Sequence, residues 1–206
     1  LTITYIPSAI DKAAGSVVLA MTTTNNGSCK PAQGFLTLTI TPAPILNAGF
    51  NKTICGDSLG VKLDEASVTT ATGVQWSTNG SGVFGPNSTT TQPIYYPKAS
   101  DTVAGKVKLA VVTTGNGTCL AVRDTIEITI TPIPTVNAGS DIAICADTNG
   151  VKLSGSSTVA GGVIWTTTGS GIFTPSASAP SASYIPSNDQ TVTLTITTTN
   201  NGTCKA

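Results

Sequence analysis

The chain has 206 residues with only 10% charged side chains, ten basic against ten acidic, and no histidine, whereas an ordinary soluble domain carries roughly 25% charge. That balance gives no electrostatic footprint for nucleic acid or an anionic membrane, and without histidine no Ser-His-Asp or Cys-His catalytic arrangement and no Cys/His zinc site can be assembled. Polarity comes instead from Thr, Ser, Asn and Gly, residues of strands and turns.

Long amphipathic helical patterns are missing, and no apolar run approaches the roughly eighteen residues of a transmembrane segment. A signal-peptide pattern is also missing, as expected if the chain opens inside a repeat.

In chain order, a threonine-rich alternating run ends at Asn26-Gly27-Ser28-Cys29, and the same ending recurs at Asn116-Gly117-Thr118-Cys119 and Asn201-Gly202-Thr203-Cys204. Asn-Gly between alternating runs predicts a tight primed hairpin turn, because both residues tolerate positive φ. The copies set a ruler. Cys29 to Cys119, Cys55 to Cys145 and Asn47 to Asn137 are each 90 positions, Trp76 to Trp165 is 89, and Cys119 to Cys204 is 85. Residues 1–43 are therefore expected to be the C-terminal half of a repeat, 44–133 a complete repeat, and 134–206 a repeat lacking its last strand. A period of this size belongs to an array of domains.

Within the complete repeat, alternation predicts short strands at Lys52–Cys55, Val61–Leu63, Gly73–Thr78, Val83–Phe84, Ile94–Pro97, Lys106–Thr113 and Asp124–Thr131. Val107, Leu109 and Val111 share one face, as do Ile126, Ile128 and Ile130. About seven such strands predict an all-β class: tandem immunoglobulin-like antiparallel β-sandwich domains in a rod-like array. Trp76 and Trp165 are the expected core anchors. Pro42-Ala43-Pro44 and Pro132-Ile133-Pro134 lie between repeats and predict extended, semi-rigid connectors.

These residues carry a resemblance. Asn-Ala-Gly-x-Asp-x-x-x-Cys, Gly-Val-Lys-Leu, Trp-x-Thr-x-Gly-Ser-Gly-x-Phe, Tyr-x-Pro-Ser, the Thr-rich run into Asn-Gly-Thr-Cys, and Ile-Thr-Ile-Thr-Pro-x-Pro together resemble the surface repeats of Bacteroidota. They are most similar to those of SprB-type gliding-motility adhesins, whose domains are similar to the PKD-like immunoglobulin superclass. The second repeat departs at Phe50-Asn51, where the third has Ser140-Asp141. The resemblance implies type IX secretion, display on the cell surface as an outer-membrane-anchored filament, and attachment in gliding motility, with surface polysaccharide or substratum as partner.

Five cysteines without a C-x-x-C pair read as disulfide partners in an oxidising compartment. Pairing within repeats joins Cys55 to Cys119 and Cys145 to Cys204 and leaves the partner of Cys29 upstream. Pairing across linkers joins Cys29 to Cys55 and Cys119 to Cys145. The first is preferred, because the turn before the last strand lies at the pole opposite the next domain, too far for a bond of about 4.4–6.8 Å between Cα atoms.

Asp11, Asp101 and Asp189 recur after Tyr-x-Pro, and Asp57 and Asp147 after the first cysteine. Calcium at domain junctions is the functional reading; capping of loop backbone by the carboxylates is preferred to it, since no D-x-[DN]-x-[DN]-G loop occurs. Asp64-Glu65 read as a solvated loop. Lys62 and Lys152 are expected to face away from the core, where an autocatalytic isopeptide would lack the needed pKa depression. Gly80-Ser81-Gly82 and Gly169-Ser170-Gly171 read as tight turns. Asp57-Ser58-Leu59, Asp101-Thr102-Val103 and Asp124-Thr125-Ile126 are similar to the O-glycosylation signal of Bacteroidota, making Ser58, Thr102 and Thr125 candidate acceptors.

The expected function is a structural and adhesive segment of a long surface filament, non-enzymatic and without cofactor or metal, packed against neighbouring repeats of its own chain. The alternatives are a carbohydrate-binding module array, which calls for exposed aromatics at matching outward positions, and a spacer in a secreted multidomain enzyme.

Overall fold

The structure, a computed structural model, describes residues 2–145 and 148–205. Residues 1–43 hold a six-residue helix, α1 (Ala9–Ala14), and the strands β1 (Ser16–Thr22) and β2 (Gln33–Thr39). β1 and β2 pair antiparallel from Ser16 opposite Thr39 to Thr22 opposite Gln33.

The complete repeat runs through β3 (Ile45–Asn47), β4 (Lys52–Cys55), β5 (Val61–Lys62), β6 (Ser67–Thr69), β7 (Gly73–Thr78), β8 (Val83–Gly85) and β9 (Ile94–Tyr96). The helix α2 (Ala99–Ala104) and the strands β10 (Lys106–Thr114) and β11 (Arg123–Thr131) complete it. One sheet has the order β4-β11-β10-β7 and another β5-β9-β8, with β3 and β6 as a separate pair. Alternation decides the core, because successive strand residues point to opposite faces. Val107, Leu109 and Val111 are buried while Lys106 and Lys108 are exposed. Ile126, Ile128 and Ile130 belong to the same core, with Trp76, Leu63 and Tyr95. Phe84 bridges the two largest rings, 5.9 Å from Trp76 and 5.2 Å from Tyr95 between centroids.

The third repeat repeats this plan with β12 (Thr135–Asn137), β13 (Val151–Lys152), β14 (Ser156–Thr158), β15 (Gly162–Thr167), β16 (Ile172–Thr174), β17 (Ser183–Ile185) and β18 (Leu194–Thr199). Trp165, Tyr184, Val163, Leu153 and Ile196 form its core. Leu194 and Leu109 stand ten residues before Cys204 and Cys119 respectively, so Tyr184 to Leu194 is ten positions where Tyr95 to Leu109 is fourteen. The third repeat has shed the turn that forms α2.

Two features depart from the expected local structure. The Asn-Gly pairs do not form two-residue primed turns. β10 and β11 are joined by residues 115–122, and positive φ falls on Gly115 (63°) and Gly117 (60°), with Asn25 and Gly27, and Asn200 and Gly202, in the same roles. The intervening asparagine is a tie: Asn116 Nδ2 donates to Thr113 O at 3.3 Å, and Asn26 and Asn201 do the same to Thr23 O and Thr198 O. The second departure is helical. α1 and α2 are too short to show amphipathic periodicity, and each ends on a left-handed glycine, Gly15 or Gly105.

Candidate functional site

The junction between repeats joins two of them covalently, and strand direction places it. β11 pairs antiparallel with β10 but parallel with β4, from Ile128 opposite Lys52 to Thr131 opposite Cys55. β4 and β11 therefore finish at the same pole, and Cys55 sits where the chain leaves the repeat. Cys119, in the loop that precedes β11, sits at the other pole. The length of β11, nine residues, separates the two poles by about 27 Å at roughly 3.3 Å per residue.

The expected pairings within repeats are therefore corrected. Cys55 is joined to Cys204 of the next repeat, with Cα atoms 4.8 Å apart, and Cys29, Cys119 and Cys145 are unbonded. The alternative across linkers, Cys29 with Cys55 and Cys119 with Cys145, is not formed either. The loop that carries Cys204 belongs to the near pole of its repeat and faces the far pole of the one before, so a third pairing satisfies the short span of a disulfide.

The contacts around the bond recur at the preceding junction. Thr131 Oγ1 lies 3.1 Å from Thr203 Oγ1, and Cys204 Sγ lies 3.6 Å from Pro132 O. One repeat earlier, Thr41 Oγ1 lies 3.3 Å from Thr118 Oγ1, and the Cys119 thiol donates to Thr41 O and Pro42 O, both at 3.5 Å. The Asn-Gly-Thr-Cys loop thus docks on the Thr-Pro that closes the preceding repeat in both places.

Two of the candidate acidic sites resolve as caps. Asp101 is buried and accepts from Ser81 N (2.7 Å), Gly82 N (2.9 Å), Lys98 N (3.1 Å) and Tyr95 Oη (2.8 Å). Desolvation raises its pKa, but the bonds from Ser81, Lys98, Tyr95 and Gly82 together hold it below the usual carboxylate range. Burial above all, and the neighbouring Asp101 as well, push the Tyr95 hydroxyl up. Asp101 therefore fastens the β7–β8 turn, β9 and the start of α2 to one another.

Asp11 repeats the motif at the surface, accepting from Tyr5 Oη at 2.6 Å and from Ser8 N and Oγ, with its pKa lowered by Tyr5 and then Ser8. Asp189 is exposed and does not reproduce it; of the Tyr95 contacts, its repeat keeps the threonine one, Thr167 Oγ1 to Tyr184 Oη at 3.2 Å as Thr78 Oγ1 to Tyr95 Oη at 3.2 Å. Asp57 lies within 4.8 Å of the Cys55 and Cys204 sulfurs, but those are bonded to each other and Asp57 alone is not a metal set. Asp147 lies outside the described residues.

Lys52 Nζ pairs with Asp64 at 2.8 Å and Glu65 at 3.7 Å, lowering the Asp64 pKa. Lys62 and Lys152 are exposed, away from both cores. Trp76 and Trp165 are each 2% exposed, and their Nε1 groups donate to Thr91 O and Pro180 O. Ser58 is half-buried beside Cys55, Thr102 is half-buried in α2, and Thr125 is exposed on β11.

The third repeat carries an open groove of about 820 Å³, lined by Leu153, Trp165, Tyr184 and Leu194 and by residues 138–145. In the complete repeat, Ile126, Ile128 and Ile130 of β11 share one core with Leu63, Trp76, Tyr95 and Leu109. Among the described residues, the third repeat has no strand corresponding to β4 or to β11. Sequence reasoning missed the parallel pairing of β4 with β11, for which the alternation of Lys52–Cys55 and Ile128–Thr131 gives no signal, being the same for either strand direction.

No family model matches the chain, and no curated protein does. Similar solved structures include extracellular cadherin domains 3–6 of protocadherin gamma B2, at 16% identity and a TM-score of 0.42, covering 74% of this chain and 42% of that one. The protocadherin gamma B4 extracellular domain matches at 10% identity and a TM-score of 0.45, covering 85% of this chain and 35% of that one. The cis-dimer structure of protocadherin gamma B7 domains 3–6 matches at 10% identity and a TM-score of 0.43, covering 90% and 55%. The chain spans about a third to a half of the length of these structures. Similarity at this level carries no argument about function. No helix among the described residues is long and apolar enough to cross a membrane.

Proposed function

We propose that the chain is a load-bearing segment of an extracellular adhesive filament, in which each immunoglobulin-like repeat is clamped to the next. The observation that carries this reading is the Cys55–Cys204 disulfide, which joins two repeats covalently beside the Pro132-Ile133-Pro134 connector. A bond at that place limits bending, keeps consecutive repeats in one relation and gives tension a path that bypasses the connector. Disulfides persist in oxidising compartments, which supports an extracellular location.

The sequence resemblance narrows the proposal to the SprB-type surface repeats of Bacteroidota: an outer-membrane-anchored filament exported by type IX secretion that reaches polysaccharide or substratum during gliding. Its ligand would be held by sites distributed over many repeats. A carbohydrate-binding array fits less well. The exposed rings Tyr5, Phe35, Phe50 and Tyr96 correspond by the repeat to the buried Tyr95 and to Thr125, Ser140 and Ile185, while the repeated tryptophans are buried.

Single-molecule stretching between the termini tests the load-bearing role. The disulfide closes a loop with a sequence separation of 149. Reduction should lengthen the fully extended chain by on the order of 500 Å, at roughly 3.3–3.6 Å per residue. Equal extension with and without reductant would exclude the role. Binding of whole cells bearing the full-length protein to polysaccharide-coated and bare surfaces tests the adhesive part separately.

A further inference from the structure

We propose that Cys119 and the open edge of β2 form an acceptor for a cysteine-terminated strand, so that the Cys55–Cys204 bond is one rung of a ladder of junction disulfides. The strand that fits has the chemistry of Lys52-Thr53-Ile54-Cys55-Gly56. This rests on the geometry of the filled junction and is independent of whether the filament is adhesive.

Three observations converge on the site. The Cys119 sulfur is placed as the Cys204 sulfur is, against the Thr-Pro carbonyls that end the preceding repeat. Ninety positions back from Ile128–Thr131 lie Leu38–Thr41, which keep the same backbone anchor: Ile40 N donates to Gly15 O at 2.8 Å and Ile130 N to Gly105 O at 2.8 Å.

β11 is paired on both edges, with β10 and with β4, whereas among the described residues β2 is paired with β1 alone. Its second edge therefore presents backbone donors and acceptors at the place where β4 docks one repeat later, and an added strand satisfies them by β-augmentation.

The filled junction also dictates the residue after the cysteine. Gly56 N donates to Thr131 O at 2.8 Å, and a Cβ on Gly56 would come within 2.8 Å of Thr102 Cγ2 and 3.3 Å of Thr131 O. The docking strand passes close to α2 and to the end of the last strand, where a residue larger than glycine would have to push Thr102 aside. The other two thiols, Cys29 and Cys145, are exposed, whereas Cys119 is half-buried.

The chemistry is thiol–disulfide exchange. The Cys119 thiolate, its proton lost to buffer, attacks the cysteine sulfur of an incoming strand held as a mixed disulfide. A new S–S bond forms and the original partner leaves as a thiolate, with no net oxidation.

The probe is a synthetic Lys-Thr-Ile-Cys-Gly-Asp peptide whose cysteine is activated as the mixed disulfide with 5-thio-2-nitrobenzoate. It is added to the intact chain, and the released thiolate is followed by absorbance and the labelled cysteine by mass mapping. Glutathione activated in the same way calibrates the intrinsic reactivity of each thiol.

Docking raises the effective concentration at one thiol only, so the peptide-to-glutathione rate ratio at Cys119 should exceed those at Cys29 and Cys145 by about tenfold or more. Replacing isoleucine by proline in the peptide should remove the excess, since proline cannot donate to the ladder. Equal ratios at the three cysteines, or an excess that survives the proline peptide, would overturn the acceptor site.

Discussion

Thr131 stands directly across a parallel ladder from Cys55, and its hydroxyl also meets Thr203 at 3.1 Å in the loop that carries Cys204. One residue at the end of β11 thus touches both halves of the junction. The last strand of a repeat serves at once as the seat of that repeat's own first cysteine and as the landing surface for the next repeat. Cys55 and Cys119 are kept apart by the same arrangement, because β11 runs the full height of the sandwich between them.

Digestion without reductant should yield one cross-linked peptide pair, Cys55 with Cys204, and no pair joining Cys55 to Cys119. Cys204→Ser should uncouple the complete repeat from the third. The chain-entropy model puts such a long loop on the order of 5 kcal/mol, so the merged melting of the two repeats should separate into two transitions by calorimetry. A single unchanged transition would contradict the clamp.

Asp101 predicts a specific acid sensitivity. Its folded pKa lies below its unfolded value. The stability it supplies is therefore complete above the unfolded carboxylate range, near pH 4, and drains away as pH falls through the lower folded value. In Asp101→Asn the donors from Ser81, Gly82, Lys98 and Tyr95 face an uncharged side chain. Stability should fall by about 2–3 kcal/mol at pH 7, and the slope below about pH 4 should flatten. Urea midpoints of both proteins across that range provide the check.

Gly82 and Gly27 separate crowding from backbone strain. A Cβ on Gly82 would strike the Tyr95 ring and the Tyr96 carbonyl, while one on Gly27 meets nothing within 4 Å although φ is +60°. Gly82→Ala should cost about 2–4 kcal/mol, since the blocking atoms are backbone and a buried ring. Gly27→Ala should cost only about 1 kcal/mol of left-handed strain. Equal midpoint shifts in denaturant would show that the turn, and not the close approach, sets the need for glycine.

Ile130 and Ile40 occupy the same repeat position in different surroundings. Ile130 is 1% exposed and Ile40 is half-buried beside the open edge of β2. Ile130→Ala should cost about 2–5 kcal/mol as a core deletion, and Ile40→Ala less than about 1 kcal/mol. Chemical denaturation monitored by far-UV circular dichroism distinguishes them.

Much of this protein is determined by local sequence. The 90-residue spacing of Cys55 and Cys145 sets the repeat, and period-two alternation fixes which faces of Lys106–Thr113 and Asp124–Thr131 are buried, because side-chain direction along a strand depends only on position in that strand. The recurrence of Tyr-x-Pro with a following aspartate marks the local part of the Asp11 and Asp101 caps, the bonds from Ser8 and Lys98 three residues earlier, but not Asp189, which follows the same motif and is exposed.

Tertiary structure alone decided the partners. Alternation is identical for parallel and antiparallel neighbours, so nothing in Lys52–Cys55 states that it lies parallel to β11. That one non-local choice carries Cys55 to the far pole and turns an expected internal staple into a clamp between repeats. The Asn-Gly loops changed meaning likewise: their asparagines tie the loop to the end of the preceding strand, and their cysteines face the neighbouring repeat.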